Sequence, residues 1–283
     1  MKEQAKKEPS WGGDVCYKRI DLSTHIIESS VWVLSLILLW YIFNINKHIN
    51  ELYQKAEKLL LSNKITTLEH IIDKSISLLH FAMYIQIVYY KTNISSLINL
   101  IQPCHLVLLL EGIALFSNGP LGVLITVLIL PTLTGTLLAT LFPDTTGLEQ
   151  PFERMSYWIQ HILIQIVPLY MLLRKNSLSL ELINFKTILI GLWILDFIHW
   201  TFYEIIDINL KVNVEFMLCP TGPMDVIFNS VPQQIVHIPT YRTLMVIVVV
   251  LVGIIISYIY YYLALLITKF ISLFSKSSYK KKI

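Results

Sequence analysis

The sequence predicts an all-α protein, a polytopic membrane bundle of about seven transmembrane helices. Hydrophobic residues make up 55% of the 283 residues and charged residues only 14%, a balance typical of chains embedded in lipid. About seven apolar segments reach the ~20 residues that a helix needs to cross the hydrocarbon core. The stretch from Met1 to Asp14 is polar, so we expect no cleavable signal peptide there.

The predicted spans follow one another with short connections. They cover residues 28–45, 71–90, 97–116, 120–142, 153–173, 185–206 and 244–272. The second span is the least apolar, and we expect it either to face other helices or to lie partly in the membrane interface. Between the first two spans, apolar residues from Ile45 to Leu60 recur at helical spacing among Lys and Glu. This pattern indicates an amphipathic helix on the membrane surface.

Basic residues are distributed unequally between the two sides of this bundle. The side that carries the 46–70 and 174–184 connections and the C-terminus holds most of the Lys and Arg near the membrane. Because basic segments stay in the cytosol, we predict that residues 1–27 form a luminal segment. Residues 28–272 would then form one transmembrane domain, with its motif-bearing core at about 98–220, and residues 273–283 a cytosolic tail.

The last residues of the chain suggest a location. The chain ends with Lys280-Lys281-Lys282-Ile283, and lysines three and four places from a C-terminus resemble the dilysine signal that coat proteins read on endoplasmic reticulum membrane proteins. We therefore expect a multi-pass protein of that membrane, with Lys280 and Lys281 available to the coat-protein retrieval machinery. The alternative is that the basic tail contacts anionic lipid.

Composition also excludes some functions. The formal charge is only +3, and no basic patch interleaved with aromatic residues indicates nucleic-acid binding. The three cysteines, Cys16, Cys104 and Cys219, do not form a disulfide framework.

The residues Gln102-Pro103-Cys104-His105-Leu106 are unusual for a helix that only has to lie in lipid. Pro103 removes a backbone donor and would break the third span, exposing amide donors near the cysteine. Cys104 can act as a nucleophile, and an ionisable His105 at membrane depth is a candidate functional residue. These residues predict a functional site in this segment rather than a helix that only crosses the membrane.

Two further histidines are predicted at the depth of Cys104. Cys104 lies about 10 Å inside the luminal end of its span at 1.5 Å per residue. His161 lies eight residues into the fifth span from the same side, and His199 lies eight residues before the sixth span leaves there. Three helices therefore present Cys104, His161 and His199 at one level.

Cys and His form the minimal pair of nucleophile and base. The alternatives are a cysteine that only fills the core and histidines that only bond between helices. A zinc site of Cys104, His105, His161 and His199 has suitable ligand types but no ligand spacing on one element, so we expect neither a metal nor a cofactor.

Other polar residues could belong to the same cavity. Asp196 could orient His199 from three residues away on one helix face, and Gln165 and Glu204 could line the cavity. Glu111 lies two turns below Cys104 on the same face. Interhelical hydrogen bonds are the alternative for each of them. Glu153 stands in the first turn of its helix, where the helix dipole favours an acid.

The chain resembles the transmembrane protein 164 family in an ordered set of motifs from about 98 to 220. The matching residues are Pro103-Cys104-His105-Leu106-Val107, Leu141-Phe142-Pro143, Pro151-Phe152-Glu153, Tyr157 with Ile159-Gln160-His161, Val167-Pro168 with Tyr170, His199, and Asn213 with Met217-Leu218-Cys219-Pro220. The sequence departs from the family pattern at Glu111, Asp196 and Glu204, where less acidic side chains are expected. Pro-Cys-His together with Ile-Gln-His is a specific combination.

The resemblance implies an acyltransferase that remodels phospholipids, including ether phospholipids, with Cys104 as the nucleophile and His161 as the catalytic histidine. An acyl chain would pass from a phospholipid donor through a cysteine thioester to a lysophospholipid acceptor. Residues expected to bind or orient the substrate are His105, Gln160, His199, Asn213 and Cys219. The alternatives are a lipid-ester hydrolase with the same Cys and His, and a small transporter in which Glu111, Asp196, His199 and Glu204 conduct ions or protons.

Overall fold

The computed structural model describes residues 17–18, 20–62, 66–93, 97–117, 119–143, 145, 148–174, 180–214, 218 and 241–280, with side chains as far as residue 273. Cys16, Cys219 and Lys281 lie outside these residues. The described chain is helical and contains no strand, as predicted. The helices are α1 (Leu22–Ile42), α2 (Ile45–Ser62), α3 (Thr67–Asn93), α4 (Pro103–Phe116), α5 (Pro120–Leu128), α6 (Leu133–Leu141), α7 (Glu153–Leu173), α8 (Phe185–Ile198), α9 (Glu204–Leu210) and α10 (Tyr241–Lys280).

Short irregular segments connect several of these helices. Three 3₁₀ turns cover Leu97–Ile101, Leu130–Thr132 and Leu180–Leu182, and a π-helical turn covers His199–Tyr203. In the described residues, six stretches are long and apolar enough to cross a membrane, and α4 is a shorter apolar helix. The six are α1, α3, α5 with α6, α7, α8 with α9, and α10 up to Leu273. The predicted multi-pass bundle is therefore confirmed.

Two helices begin at residues other than the limits of the predicted spans, for identifiable reasons. The α1 helix begins at Leu22 rather than at residue 28, because the Asp21 carboxylate accepts a 2.8 Å hydrogen bond from the Thr24 N–H and caps the helix. That N–H holds the pKa of the Asp21 carboxyl below its ordinary value by stabilising the charged form. The third span begins as a 3₁₀ turn at Leu97, and its α-helix begins only at Pro103. Proline lacks the N–H that an uninterrupted helix needs and is suited to a first helical position.

The amphipathic helix between the first two spans is present as α2. Its buried residues include Ile45, Leu52 and Ala56, and the helix packs against α5 and against the turn at Leu180–Leu182. Its apolar stripe therefore packs against the rest of the protein.

A bend at Pro131 divides the fourth span into α5 and α6, and two neighbouring helices approach it closely. A Cβ added to Gly191 of α8 would lie 2.5 Å from the Leu128 carbonyl oxygen, and one added to Gly253 of α10 would lie 3.1 Å from the Pro131 carbonyl oxygen. Small residues permit such close backbone contacts between membrane helices. Glycine at these positions thus lets α8 and α10 pack on the bend.

The α4 helix packs against both α3 and α7. Its Leu108 and Ile164 of α7 are fully buried in one cluster, against which Cys104 also packs. We call the side of the bundle where α3 ends and α4 and α7 begin the Cys104 end, and the opposite side the Arg174 end. The Cys104 end holds the candidate site.

Candidate functional site

Cys104 occupies the second residue of α4, directly after the proline that starts the helix. The break predicted at Pro103 is therefore present, and it places a partly buried thiol in the first helical turn. The positive end of the helix dipole favours negative charge at this position. The amides of His105 and Leu106 are not the exposed donors that we expected, because both donate to the Gln102 carbonyl, at 2.9 and 3.1 Å.

His161 is a buried residue of α7, on the helix that packs against α4. Its Nδ1 lies 2.7 Å from the Tyr157 carbonyl oxygen, and the two rings lie 4.1 Å apart between centroids. Because a carbonyl oxygen only accepts, Nδ1 must carry the hydrogen, and the neutral ring keeps a lone pair on Nε2. The hydrogen bond at Nδ1 thus leaves Nε2 as the acceptor atom of the His161 ring.

His105 is buried beside the same helix start. Its Nδ1 donates to the Asn99 carbonyl at 2.7 Å, which ties the turn at Leu97–Ile101 to the first turn of α4. His105 also lies within electrostatic range of His161. The structure shows that His105 holds this turn in place, and its role in binding or orienting a substrate stays a prediction.

Lys91 and Glu153 belong to this end of the bundle, and sequence reasoning missed the lysine. Lys91 lies in the last turn of α3 with only 8% of its surface exposed, and it is within electrostatic range of Cys104 and Glu153. Glu153 is buried at the first residue of α7, where the sequence predicted an acid at the positive end of the helix. Its Oε2 accepts a 3.1 Å hydrogen bond from the Gln150 N–H.

The segment before α7 is hydrogen-bonded to the end of α3, which explains why Lys91 and Glu153 lie within electrostatic range of each other. The Tyr90 hydroxyl donates to the Pro151 carbonyl at 3.1 Å, and the Gln150 side chain donates to the Tyr90 carbonyl at 2.9 Å. Asn93 donates to the Gln150 side chain at 3.1 Å. These bonds fix the start of α7 beside the last turn of α3.

His199 begins the π-helical turn that separates α8 from α9, a type of distortion frequent at functional sites. Its Nδ1 donates to the Leu195 carbonyl at 3.1 Å, and Asp196 lies within electrostatic range. The Tyr203 hydroxyl of the same turn donates to the Ile101 carbonyl at 2.7 Å. The π-helical turn is thus bonded to the 3₁₀ turn that precedes Cys104.

Two more predicted binding residues can be placed. Gln160 precedes His161 and is 3% exposed, and its Nε2 has no hydrogen-bond partner. Asn213 is buried, and its side-chain oxygen accepts a 3.0 Å hydrogen bond from the Leu218 N–H, so it holds the chain that follows α9. Cys219, predicted beside it, lies outside the described residues.

Glu204 and Gln165 make contacts between helices, which is the alternative that the sequence left open for them. The Glu204 carboxylate accepts from Arg242 of α10 at 2.6 Å and lies 2.8 Å from Nδ1 of His25 of α1. The Gln165 amide donates to the Thr140 hydroxyl at 2.6 Å and so joins α7 to α6. Each residue faces a different neighbouring helix, as the interhelical alternative requires.

Glu111 also belongs to an interhelical contact. Its carboxylate lies 3.1 Å from Nε2 of His80 in α3, and both side chains are fully buried.

Within the part of the chain that is described, no three His, Cys, Asp or Glu residues are arranged to hold a metal ion. The zinc alternative therefore has no ligand set among those residues.

The family model of the TMEM164 family matches residues 21–271. The chain belongs to this family. The match extends from the cap of α1 into α10, so it includes every helix around Cys104. No solved structure matches the chain significantly. Membership of the TMEM164 family agrees with the motifs around Cys104 and His161.

Proposed function

We propose that the protein is a membrane acyltransferase that remodels phospholipids, ether phospholipids among them, through a thioester on Cys104. The observation that carries the proposal is the packing of two helices: the first turn of α4 bears Cys104, and α7 bears His161 with its Nε2 lone pair preserved. A thiol beside an imidazole base is the arrangement that nucleophilic acyl transfer requires.

In the first step, His161 Nε2 takes the proton of the Cys104 thiol while the sulfur attacks the ester carbonyl carbon of the donor phospholipid. A carbon–sulfur bond forms, and the carbonyl electron pair moves onto oxygen. When the tetrahedral intermediate collapses, the carbon–oxygen bond to the glycerol breaks. The imidazolium of His161 gives its proton to the leaving alkoxide, which departs as a lysophospholipid.

The second step reverses these roles with a new acceptor. His161 takes the proton of a lysophospholipid hydroxyl, whose oxygen attacks the thioester carbon. The new ester bond forms as the carbon–sulfur bond breaks, and the thiolate of Cys104 regains the proton from His161. A lipid-embedded cavity favours this transfer over hydrolysis because it excludes water.

The charges of Lys91 and Glu153 support the proposal that the substrate places its polar part at the Cys104 end. Both are buried, carry opposite charges and lie within electrostatic range of each other, and Lys91 is also within range of Cys104. A lipid ester that reaches Cys104 from the bilayer would bring its polar headgroup to this charged rim. His199 would orient groups or contact the substrate phosphate from the neighbouring π-helical turn.

We also propose that the Cys104 end faces the lumen of the endoplasmic reticulum and that the C-terminus is cytosolic. The supporting observations are the excess of basic residues on the opposite side and the terminal Lys280-Lys281-Lys282-Ile283. Protease treatment of sealed microsomes should remove a C-terminal epitope. An epitope that survives external protease would contradict this orientation.

The decisive assay for the activity incubates purified protein with a phospholipid labelled in its acyl chain and an unlabelled lysophospholipid. Label in the acceptor phospholipid is the expected result, and the Cys104→Ala protein is the matched control. Release of labelled fatty acid alone would replace the transferase with a hydrolase that uses the same residues. If the folded protein forms neither labelled phospholipid nor labelled fatty acid, the proposed acyl chemistry is contradicted.

A further inference from the structure

Buried polar atoms without partners are found on residues around Cys104. Among the buried side-chain atoms of the described residues, those lacking a hydrogen-bond partner include Nδ2 of Asn99 and Nε2 of Gln160. An unsatisfied buried donor costs about 1–3 kcal/mol. Two unpartnered amide donors, on the two segments that carry Cys104 and His161, therefore need an explanation.

Asn99 is held firmly on the cysteine side of the site. It lies in the 3₁₀ turn that precedes α4, and its backbone carbonyl accepts from His105 Nδ1 at 2.7 Å and from the Gln102 N–H at 3.2 Å. The Tyr203 hydroxyl bonds the same turn at Ile101. Its backbone is thus fixed, yet its side-chain NH₂ group is buried and unpartnered.

Gln160 is held on the histidine side. It precedes His161 on α7 and belongs to the buried face of the helix that packs against α4. Gln165, on the same helix, provides a comparison, because its side-chain amide donates to Thr140. The two glutamines of α7 therefore differ in whether the protein itself uses their amide.

Acyl transfer at Cys104 would create a negative oxygen that needs hydrogen-bond donors. Positioned donors for such an oxygen are a major source of catalysis in acyl transfer. Two nearby backbone amides are already engaged, since those of His105 and Leu106 both donate to the Gln102 carbonyl. Among the buried side-chain atoms of the described residues, the amide donors without a partner on the segments that carry Cys104 and His161 are Asn99 Nδ2 and Gln160 Nε2.

We propose that the side-chain amides of Asn99 and Gln160 form the oxyanion hole of this site. Each NH₂ group would donate to the carbonyl oxygen of the ester as sulfur attacks, and again to the thioester oxygen as the acceptor hydroxyl attacks. This inference rests on the proposed acyl transfer at Cys104. It adds Asn99 to the site and gives Gln160 a defined catalytic role.

The test compares two reactions of the same thiol. Acylation of Cys104 by a labelled phospholipid passes through an oxyanion, whereas alkylation by iodoacetamide is a direct displacement that does not. In Asn99→Leu and Gln160→Met, variants of similar volume that lack the donor, acylation should fall about 10²–10³-fold. Alkylation should keep the wild-type rate because the thiol and its base are unchanged.

Gln165→Met is the matched control on the same helix. It removes an amide with a protein partner, so it should lower thermal stability without lowering the acylation rate of the folded protein. Asn99→Leu and Gln160→Met should not lower the melting temperature, because each replaces an unsatisfied donor with an apolar group.

Two outcomes would overturn the oxyanion assignment while leaving Cys104 as the nucleophile. One is wild-type acylation in both variants, as expected if the amides only hold buried water. The other is an equal fall in acylation and alkylation, which would show that the amides position the thiol or the fold. A wild-type protein that alkylates but never acylates would instead refute the proposed function and this inference with it.

Discussion

The α3 and α7 helices meet at both ends of the bundle, and the two ends use their charges differently. At the Arg174 end, Asp73 of α3 is fully buried, and both of its carboxylate oxygens have protein partners. Oδ1 accepts from the Tyr170 hydroxyl at 2.7 Å, and Oδ2 pairs with Arg174. At this end, therefore, both oxygens of the buried Asp73 carboxylate are satisfied by the protein.

At the Cys104 end the same two helices bury Lys91 and Glu153 beside a cysteine, but the polar groups are incompletely satisfied. Glu153 Oε1 and Gln160 Nε2 are buried without a hydrogen-bond partner. Buried polar groups are normally paired. The unpaired groups therefore lower the stability of the Cys104 end, whereas the Asp73 contact at the Arg174 end carries no such cost. The difference agrees with our proposal that α3 and α7 stabilise the bundle at the Arg174 end and form the reaction site at the Cys104 end.

The largest effect is expected from Cys104→Ala, which should reduce acyl transfer to background. The protein should remain folded, because a partly buried cysteine behaves as a small hydrophobic residue. Cys104→Ser should be nearly as inactive, since a hydroxyl is a much weaker nucleophile. Transfer assays on detergent-purified variants of matched melting temperature check this, and full activity in Cys104→Ala would make the cysteine structural.

His161→Ala should lower transfer about 10²–10⁴-fold, the usual loss when a general base is removed. His199→Ala should cost less, because that ring lies on the neighbouring π-helical turn and only orients groups in our account. Single-turnover acylation rates of the two variants compare them directly. If His199 proved essential and His161 dispensable, the base would lie on the π-helical turn after α8 rather than on α7.

At the Arg174 end, Asp73→Ala should lower the free energy of unfolding by about 3–5 kcal/mol, because it leaves the Arg174 charge and the Tyr170 hydroxyl without their buried partner. The transfer rate per folded molecule should remain that of the wild type. Gln160→Met, at the Cys104 end of the bundle, should show the reverse, with full stability and little transfer activity. Denaturation in detergent and transfer assays on both variants measure this, and a catalytic defect in folded Asp73→Ala would contradict the separation of the two ends.

The sequence was sufficient for features that depend on local pattern. The predicted span 153–173 coincides with α7, because an acidic first turn and an apolar run mark its limits. Pro103 predicted the break in the third span, although proline at the first position of α4 makes this a helix start rather than a loosened helix. The common level of Cys104 and His161 rests on helix direction and length alone and stays a prediction.

Contacts between distant segments could not be predicted in the same way. No sequence pattern indicates that Lys91 is buried, because its burial depends on the hydrogen bonds that hold the start of α7 beside the end of α3. Asn99 has no signal of its own, since only the folded turn reveals its unpartnered amide. Glu204 and His25 lie 179 positions apart, and neither the sequence spacing nor the residue types indicate that they meet at Arg242.

The most direct test of the central claim is to identify the residue that becomes acylated. Wild-type protein is incubated with a labelled phospholipid donor without acceptor, quenched, and analysed by peptide mass spectrometry before and after neutral hydroxylamine. Our account predicts a hydroxylamine-sensitive acyl group on the peptide containing Cys104, and its transfer to added lysophospholipid. An acyl group on any other residue, or transfer without a covalent intermediate, would contradict it.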